Sequence, residues 1–183
     1  MKTLRIAIFA LVALAQLAVP ASMIWKRQKT FREGRVWKFR TAPVDPIDAL
    51  RGRYLSLRFS AEEFPWSGHE TYDREVFVKL REDSQGFAVV DQLSAERMAG
   101  DDVVPVDWFS WYDEKGHVRF PFDKFWVTEA DASAAEAAYM ANSRRENLNA
   151  YVTVRVHDGD AAIEELYLNG QPLREYLHGH STP

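Results

Sequence analysis

Tyr151-Val-Thr-Val-Arg-Val-His-Asp-Gly-Asp-Ala-Ala-Ile-Glu-Glu-Leu-Tyr-Leu168 carries the clearest local pattern in the chain. Val152, Val154 and Val156 share one side and Thr153 and Arg155 the other, the period-two alternation of a half-buried strand. Asp158-Gly159-Asp160 supplies turn chemistry, and Ala162–Leu168 returns as a second strand, so the stretch reads as an antiparallel hairpin. Working outward, the same alternation recurs in Val36–Thr41, Tyr54–Phe59, Glu75–Arg81, Phe87–Val90, Val104–Tyr112 and His117–Phe120. Leu55, Leu57 and Phe59 fall on one face, and Val76, Val78 and Leu80 oppose Lys79 and Arg81. Turns at Asp83–Gly86 and Asp113–Gly116 predict two more hairpins. The expected fold is mainly β (α+β): an antiparallel sheet, small barrel or sandwich of about eight strands.

One segment departs from this rhythm. Residues 129–146 are alanine-rich and lack Gly and Pro, which predicts a single helix with Thr128 as N-cap and Asp131 at capping-box distance. Glu129 and Asp131 at its start and Arg144 and Arg145 at its end suit the helix dipole. Ala132, Ala135, Ala138 and Tyr139 form a narrow apolar stripe suited to lying against a sheet.

The N-terminus is of another kind. Residues 6–25 contain no charged side chain, and a helix of that length spans about 30 Å, the thickness of a bilayer core. Trp25 followed by Lys26 and Arg27 resembles an interfacial boundary. The expectation is a single N-terminal transmembrane anchor, residues 1–25, with residues 6–25 in the lipid bilayer. The competing reading is a signal peptide cleaved after Ala21. Residues 26–40 hold seven basic residues and one acidic, a net of +6, and form a basic juxtamembrane segment leading into the first strand. Residues 41–177 form the β-rich domain and 178–183 a frayed tail. The positive C-terminal flank favours a cytoplasmic domain, whereas a lone N-terminal signal-anchor favours export. The expected location is the inner membrane, single-pass, with the domain on the extracytoplasmic, periplasmic side.

Charge and composition exclude several classes. The 183 residues have a net charge of -4, but residues 41–183 alone carry 26 acidic and 14 basic side chains, a net of -12, which disfavours nucleic acid. Without cysteine there is no disulfide, thiol nucleophile or cysteine-based metal site. His69, His117, His157, His178 and His180 fall at no HExxH spacing, and the chain has no P-loop, GxGxxG or GxSxG. No cofactor and no metal is expected. Trp108-Phe109-Ser110-Trp111-Tyr112 and Phe120-Pro121-Phe122-Asp123-Lys124-Phe125-Trp126 are dense in aromatics, read either as packed core or as a partly exposed platform for a partner.

Thr41-Ala-Pro-Val-Asp-Pro-Ile-Asp-Ala-Leu-Arg-Gly-Arg-Tyr-Leu-Ser-Leu-Arg-Phe59 resembles the bacterial family named for its GDYxxLxY motif, whose pattern there is roughly PxDPxDxxRGDYxxLxY. Pro43, Asp45, Pro46, Asp48, Arg51, Gly52, Tyr54 and Leu57 fall on matching positions. Arg53 stands where the family has aspartate, and Phe59 where it has its final tyrosine. Phe125–Glu129 and Val154–Gly159 with Ala162–Leu168 resemble two further stretches of that family. The resemblance implies an envelope protein of unknown function, with an N-terminal membrane helix and a polytopic membrane protein encoded beside it.

On the residues themselves, Pro43 and Pro46 keep the chain extended and Asp45 and Asp48 accept turn hydrogen bonds within reach of Arg51. Gly52 supplies the conformation that launches the strand. Two readings stand for Asp45, Pro46, Asp48, Arg51, Gly52, Tyr54, Leu57 and Glu129: a rigid structural corner or a binding corner. The expected function is a non-enzymatic accessory or interaction domain working with an integral membrane protein. The alternatives are an enzyme of unassigned, hydrolase-like class with a carboxylate cleft around Asp45, Asp48 and Glu129, or a small-molecule sensor.

Overall fold

The computed structural model describes residues 2–42, 54–66, 76–109, 115–143 and 149–180. Helix α1 (Lys2–Glu33) runs into strand β1 (Arg35–Arg40). There follow β2 (Tyr54–Ser56), a 3-10 turn (Ser60–Glu62), β3 (Glu63–Pro65), β4 (Val76–Glu82), β5 (Ala88–Ser94), β6 (Val103–Phe109), β7 (Lys115–Arg119) and β8 (Lys124–Trp126). Helix α2 (Ala132–Asn142), the hairpin β9 (Ala150–His157) and β10 (Asp160–Leu168), short β11 (Gln171–Pro172) and helix α3 (Leu173–His180) complete the described chain.

The strands form three antiparallel sheets, ordered β1-β9-β10-β11, β3-β7-β6-β4-β5 and the pair β2-β8. Alternation places one side of each strand in a shared core. In the first sheet Trp37 faces Val154 and Phe39 faces Val152 in register, and all four are buried. In the second, Val76 opposes Val106 and Val78 opposes Val104, again all buried. The two layers meet in one hydrophobic core. At its centre Phe39 lies edge-on to Phe59, Phe120 and Phe122, with ring centroids 5.5, 5.1 and 5.1 Å away. Edge-to-face packing satisfies the ring quadrupoles as well as the area term. The Phe120–Phe122 aromatics are therefore core, while Trp126 is exposed.

The β9–β10 turn has Asp158 at φ 46° and Gly159 at 84°, the left-handed pair that a two-residue turn joining twisted strands requires. Asn169 and Gly170, at 51° and 79°, repeat it between β10 and β11. The β4–β5 turn is held by the Asp83 carboxylate, which accepts from the backbone N–H of Gln85 at 2.8 Å and Phe87 at 2.9 Å.

The expected fold class needs correction in three respects. Eleven strands are described rather than about eight, and two helices rather than one follow the N-terminal helix. The added strands β3, β8 and β11 have only two or three residues, too few to show alternation. Above all, no helix among the described residues is long and apolar enough to cross a membrane. The expected transmembrane helix, and with it the single-pass inner-membrane location, is therefore overturned, and the signal-anchor and periplasmic assignments are left without support. The reason lies in the described part of the helix, whose apolar run is interrupted by Gln16, Pro20 and Ser22. The helix then continues without a break through Lys26, Arg27 and Lys29 to Glu33.

The basic segment is divided between two elements. Residues 26–33 are the last turns of α1, where Thr30 is buried, Lys26 pairs with Asp160 at 3.6 Å and Glu33 lies 3.8 Å from His157. Residues 35–40 are β1, in which Arg35 pairs with Glu82 at 2.9 Å and sits over the Trp37 ring. Gly34 joins the two at a point where a Cβ would collide with the Thr30 carbonyl and come within 3.0 Å of the Val156 carbonyl.

Candidate functional site

Strand β2 is the part of the motif stretch that the structure describes. Its pairing with β8 sets Tyr54 opposite Trp126, Leu55 opposite Phe125 and Ser56 opposite Lys124. Strand alternation then turns Leu55 into the core and leaves Tyr54, Ser56, Lys124 and Trp126 on the outer face. Tyr54 contacts Trp126 with ring centroids 5.2 Å apart, and the Lys124 ammonium lies 5.3 Å from the centre of the Tyr54 ring. The ladder is extended where the Leu57 N–H donates to the Asp123 carbonyl at 2.8 Å. Leu57 and Phe59 are buried, and Phe59 forms an antiparallel bridge with Thr41, just past the end of β1.

Beyond Phe59 the 3-10 turn brings Glu62 back beneath β2. A cleft of about 290 Å³ opens there. Its walls are Tyr54, Ser56 and Leu57 on one side and Asp123 and Lys124 on another, with Arg58, Glu62 and Arg119 completing it. Glu62 is only 7% exposed. Burial raises its pKa from 4.5 to about 7, against the lowering effect of hydrogen bonds with the Phe59 and Phe120 backbone and the charges of Arg58 and Arg119. Behind it, α2 buries Ala135, Tyr139 and Asn142. The Tyr139 phenol is pushed up first by burial and then by Glu62, against a contact with Thr41. The Thr41 hydroxyl also donates to the Ala150 carbonyl at 2.9 Å.

Of the residues singled out from sequence, Tyr54 and Leu57 line this cleft. Glu129 does not; it is exposed in the turn before α2. Asp45, Pro46, Asp48, Arg51 and Gly52 lie outside the described residues, as does Arg53. The carboxylates that do meet at the cleft, Glu62 and Asp123, and the cations Arg58, Arg119 and Lys124 went unread in the sequence. Arg58 had a weak signal, since it follows the motif leucine on an alternating strand. Glu62 and Arg119 are brought together only by the fold. Among the described residues no three His, Asp or Glu side chains are grouped to hold a metal ion.

A second cleft, of about 370 Å³, lies at the foot of α1, between Arg27, the Phe125–Trp126 edge of β8 and Ala161–Ile163 of β10. Above it the large apolar side chains described on the helix are exposed. Phe9, Leu11, Leu14, Leu17, Val19, Met23, Ile24 and Trp25 are each 62–75% exposed.

The class is thus an antiparallel β module with a helical stem, in which a Tyr-x-x-Leu strand walls a polar cleft. The chain belongs to the GDYXXLXY protein family, whose model matches residues 16–166. The match runs from the middle of the stem to the end of the β9–β10 hairpin, so it embraces both clefts. No curated protein and no solved structure matches the chain.

Proposed function

We propose that the chain is a non-enzymatic accessory domain that docks to apolar helices of an integral membrane protein through the rod of α1. The observation that carries this reading is the exposure of nine large apolar side chains between residues 9 and 25, while the β domain grips the same helix between Lys26 and Glu33. Each such side chain gains about 1.5–3 kcal/mol on full burial, so an uncovered rod is costly in water. The apolar residues surround the helix; Gln16 and Ser22 are the polar exceptions in residues 6–25. A pairing with one second copy would cover a single stripe, whereas several partner helices would cover the circumference. The cleft at the foot of the stem, edged by exposed Trp126, extends the same surface onto the β domain. An exposed aromatic at the margin of an apolar patch suits an anchor for a protein partner.

Photo-crosslinking in whole cells tests this, with a photoreactive residue replacing Leu17 in one variant and Glu96, on the far β domain, in the other. The reading expects Leu17 adducts that map by mass spectrometry to apolar helices of one membrane protein, with none from Glu96. Adducts confined to a second copy of the chain, to lipid, or equal from both positions overturn it.

A further inference from the structure

We infer that the cleft beside β2 is a binding site for a small phosphate-bearing ligand, held by Arg58, Arg119 and Lys124 with the hydroxyls of Tyr54 and Ser56. This inference is independent of the docking reading.

The first support is local charge. In a region of net charge -12 over residues 41–183, three cations converge on one cleft whose carboxyls are Asp123 and Glu62. Five cations elsewhere on the β domain are paired: Arg35 with Glu82, Arg81 with Asp91, Lys115 with Glu63, Lys79 with Asp102 and Arg155 with Glu164. Arg58, Arg119 and Lys124 form no salt bridge among the described residues; Arg119 and Lys124 instead rest against the rings of Phe109 and Tyr54. Cations stacked on rings are held in place with their donors unspent.

The second support is chemistry and size. Two guanidinium forks, an ammonium and two hydroxyls offer donors from several directions, which suits a tetrahedral oxyanion better than a planar one. A volume of about 290 Å³ holds about ten water-sized groups, enough for a phosphate and a short organic stem.

The third is the buried acid at the cleft wall. Glu62 faces Arg58 from the motif strand's continuation, Arg119 from β7, Asp123 and Lys124 from β8 and its approach, and Tyr139 from α2. With its pKa raised to about 7, Glu62 is largely neutral in mildly acidic solution and adds a negative charge above neutrality. Anion affinity therefore falls as pH rises through 7, and by linkage a bound anion raises the Glu62 pKa further.

The test is a titration of the full chain in neutral detergent, followed by 15N NMR. Inorganic phosphate is added at pH 7, and sulfate, whose own charge is constant, from pH 5.5 to 8.5. The inference expects saturable shifts centred on Ser56, Arg58, Arg119 and Lys124. Sulfate should bind about tenfold more weakly at pH 8.5 than at 5.5, and Glu62→Gln should flatten that profile. Arg58→Gln should weaken phosphate at least tenfold, and Lys79→Gln, remote from the cleft, should not. Saturation by phosphate without displacement from phosphatidylglycerol vesicles assigns a free phosphate compound; capture by those vesicles that phosphate reverses assigns a lipid headgroup. Unsaturable shifts spread over surface lysines, or affinity unchanged in Arg58→Gln, overturn the inference.

Discussion

Replacing Glu62 by Gln should stabilise the domain, and only on the alkaline side. The carboxyl has an ordinary pKa of 4.5 and is raised to about 7 in the fold, chiefly by burial. Below about pH 4.5 folded and unfolded chains both hold the proton, and the folded state has its full stability. Between 4.5 and 7 the unfolded chain ionises while the fold does not, so stability drains away as pH rises. Above 7 the fold ionises too and the penalty levels off at about 3 kcal/mol, from 1.36 kcal/mol per pH unit. Glutamine keeps the shape and carries no charge, so it should recover about 1–3 kcal/mol at pH 8 and close to nothing at pH 4.5. For a chain of this size each kcal/mol moves the melting temperature by about 2–4 °C. Urea denaturation of both proteins at pH 4.5 and pH 8 gives the comparison directly, because other titrating groups cancel in the difference. A Glu62→Gln protein less stable than the parent at pH 8, or equally altered at both pH values, would refute the assignment of Glu62 as a buried acid penalised by burial.

Other changes should act through packing. Phe39→Ala removes the ring shared by Phe59, Phe120 and Phe122 and should cost about 3–5 kcal/mol in urea denaturation, while Phe39→Leu should cost far less. Gly34→Ala places a methyl against the Thr30 and Val156 carbonyls and should loosen the joint between α1 and β1; the readout is faster amide exchange at Thr30 and Val156, at a stability cost of about 1–3 kcal/mol. Asp83→Ala removes the acceptor of two turn amides and should lower thermal stability at pH 7, and because the folded fold holds the Asp83 pKa below its ordinary value the parent should lose that advantage on acidification through the lowered pKa. Trp126→Ala, at a site 67% exposed, should leave the melting temperature unchanged and weaken partner docking.

The long strands were legible because each buries one face. Val76, Val78 and Leu80 and Val152, Val154 and Val156 are core in the structure as the alternation required. Both described predicted turns, at Asp83–Gly86 and Asp158–Gly159, join their strands, and β6 pairs with β7 as the third hairpin demanded. Asn169-Gly170 was an equally clear turn signal, but β11 beyond it has only Gln171 and Pro172, so no strand pattern drew attention to it. β3 ends in Pro65 and sits at a sheet edge, where a missing N–H is tolerated. Helix α2 begins at Ala132 rather than at 129, because Thr128 and Asp131 hydrogen-bond to each other at 2.7 Å in a turn that precedes it. The stem reads as a span from its uncharged run and its Trp25-Lys26 boundary, but the helix passes that boundary unbroken to Glu33, and no described helix is long and apolar enough to cross a membrane. Tyr54 and Leu57 were found from the motif, whereas Glu62, Arg119 and Lys124 lie on separate elements and become neighbours only when β2 pairs with β8 and the 3-10 turn folds beneath them.

The stem is the part of the molecule on which the functional account depends. Once a crosslinked partner has been identified, its recovery with the triple variant Leu11→Glu, Leu14→Glu, Leu17→Glu measures that dependence. The account predicts at least a tenfold loss of partner with the urea midpoint of the β domain unchanged, since those side chains are 66–69% exposed. Undiminished recovery of the partner by the triple variant would contradict it.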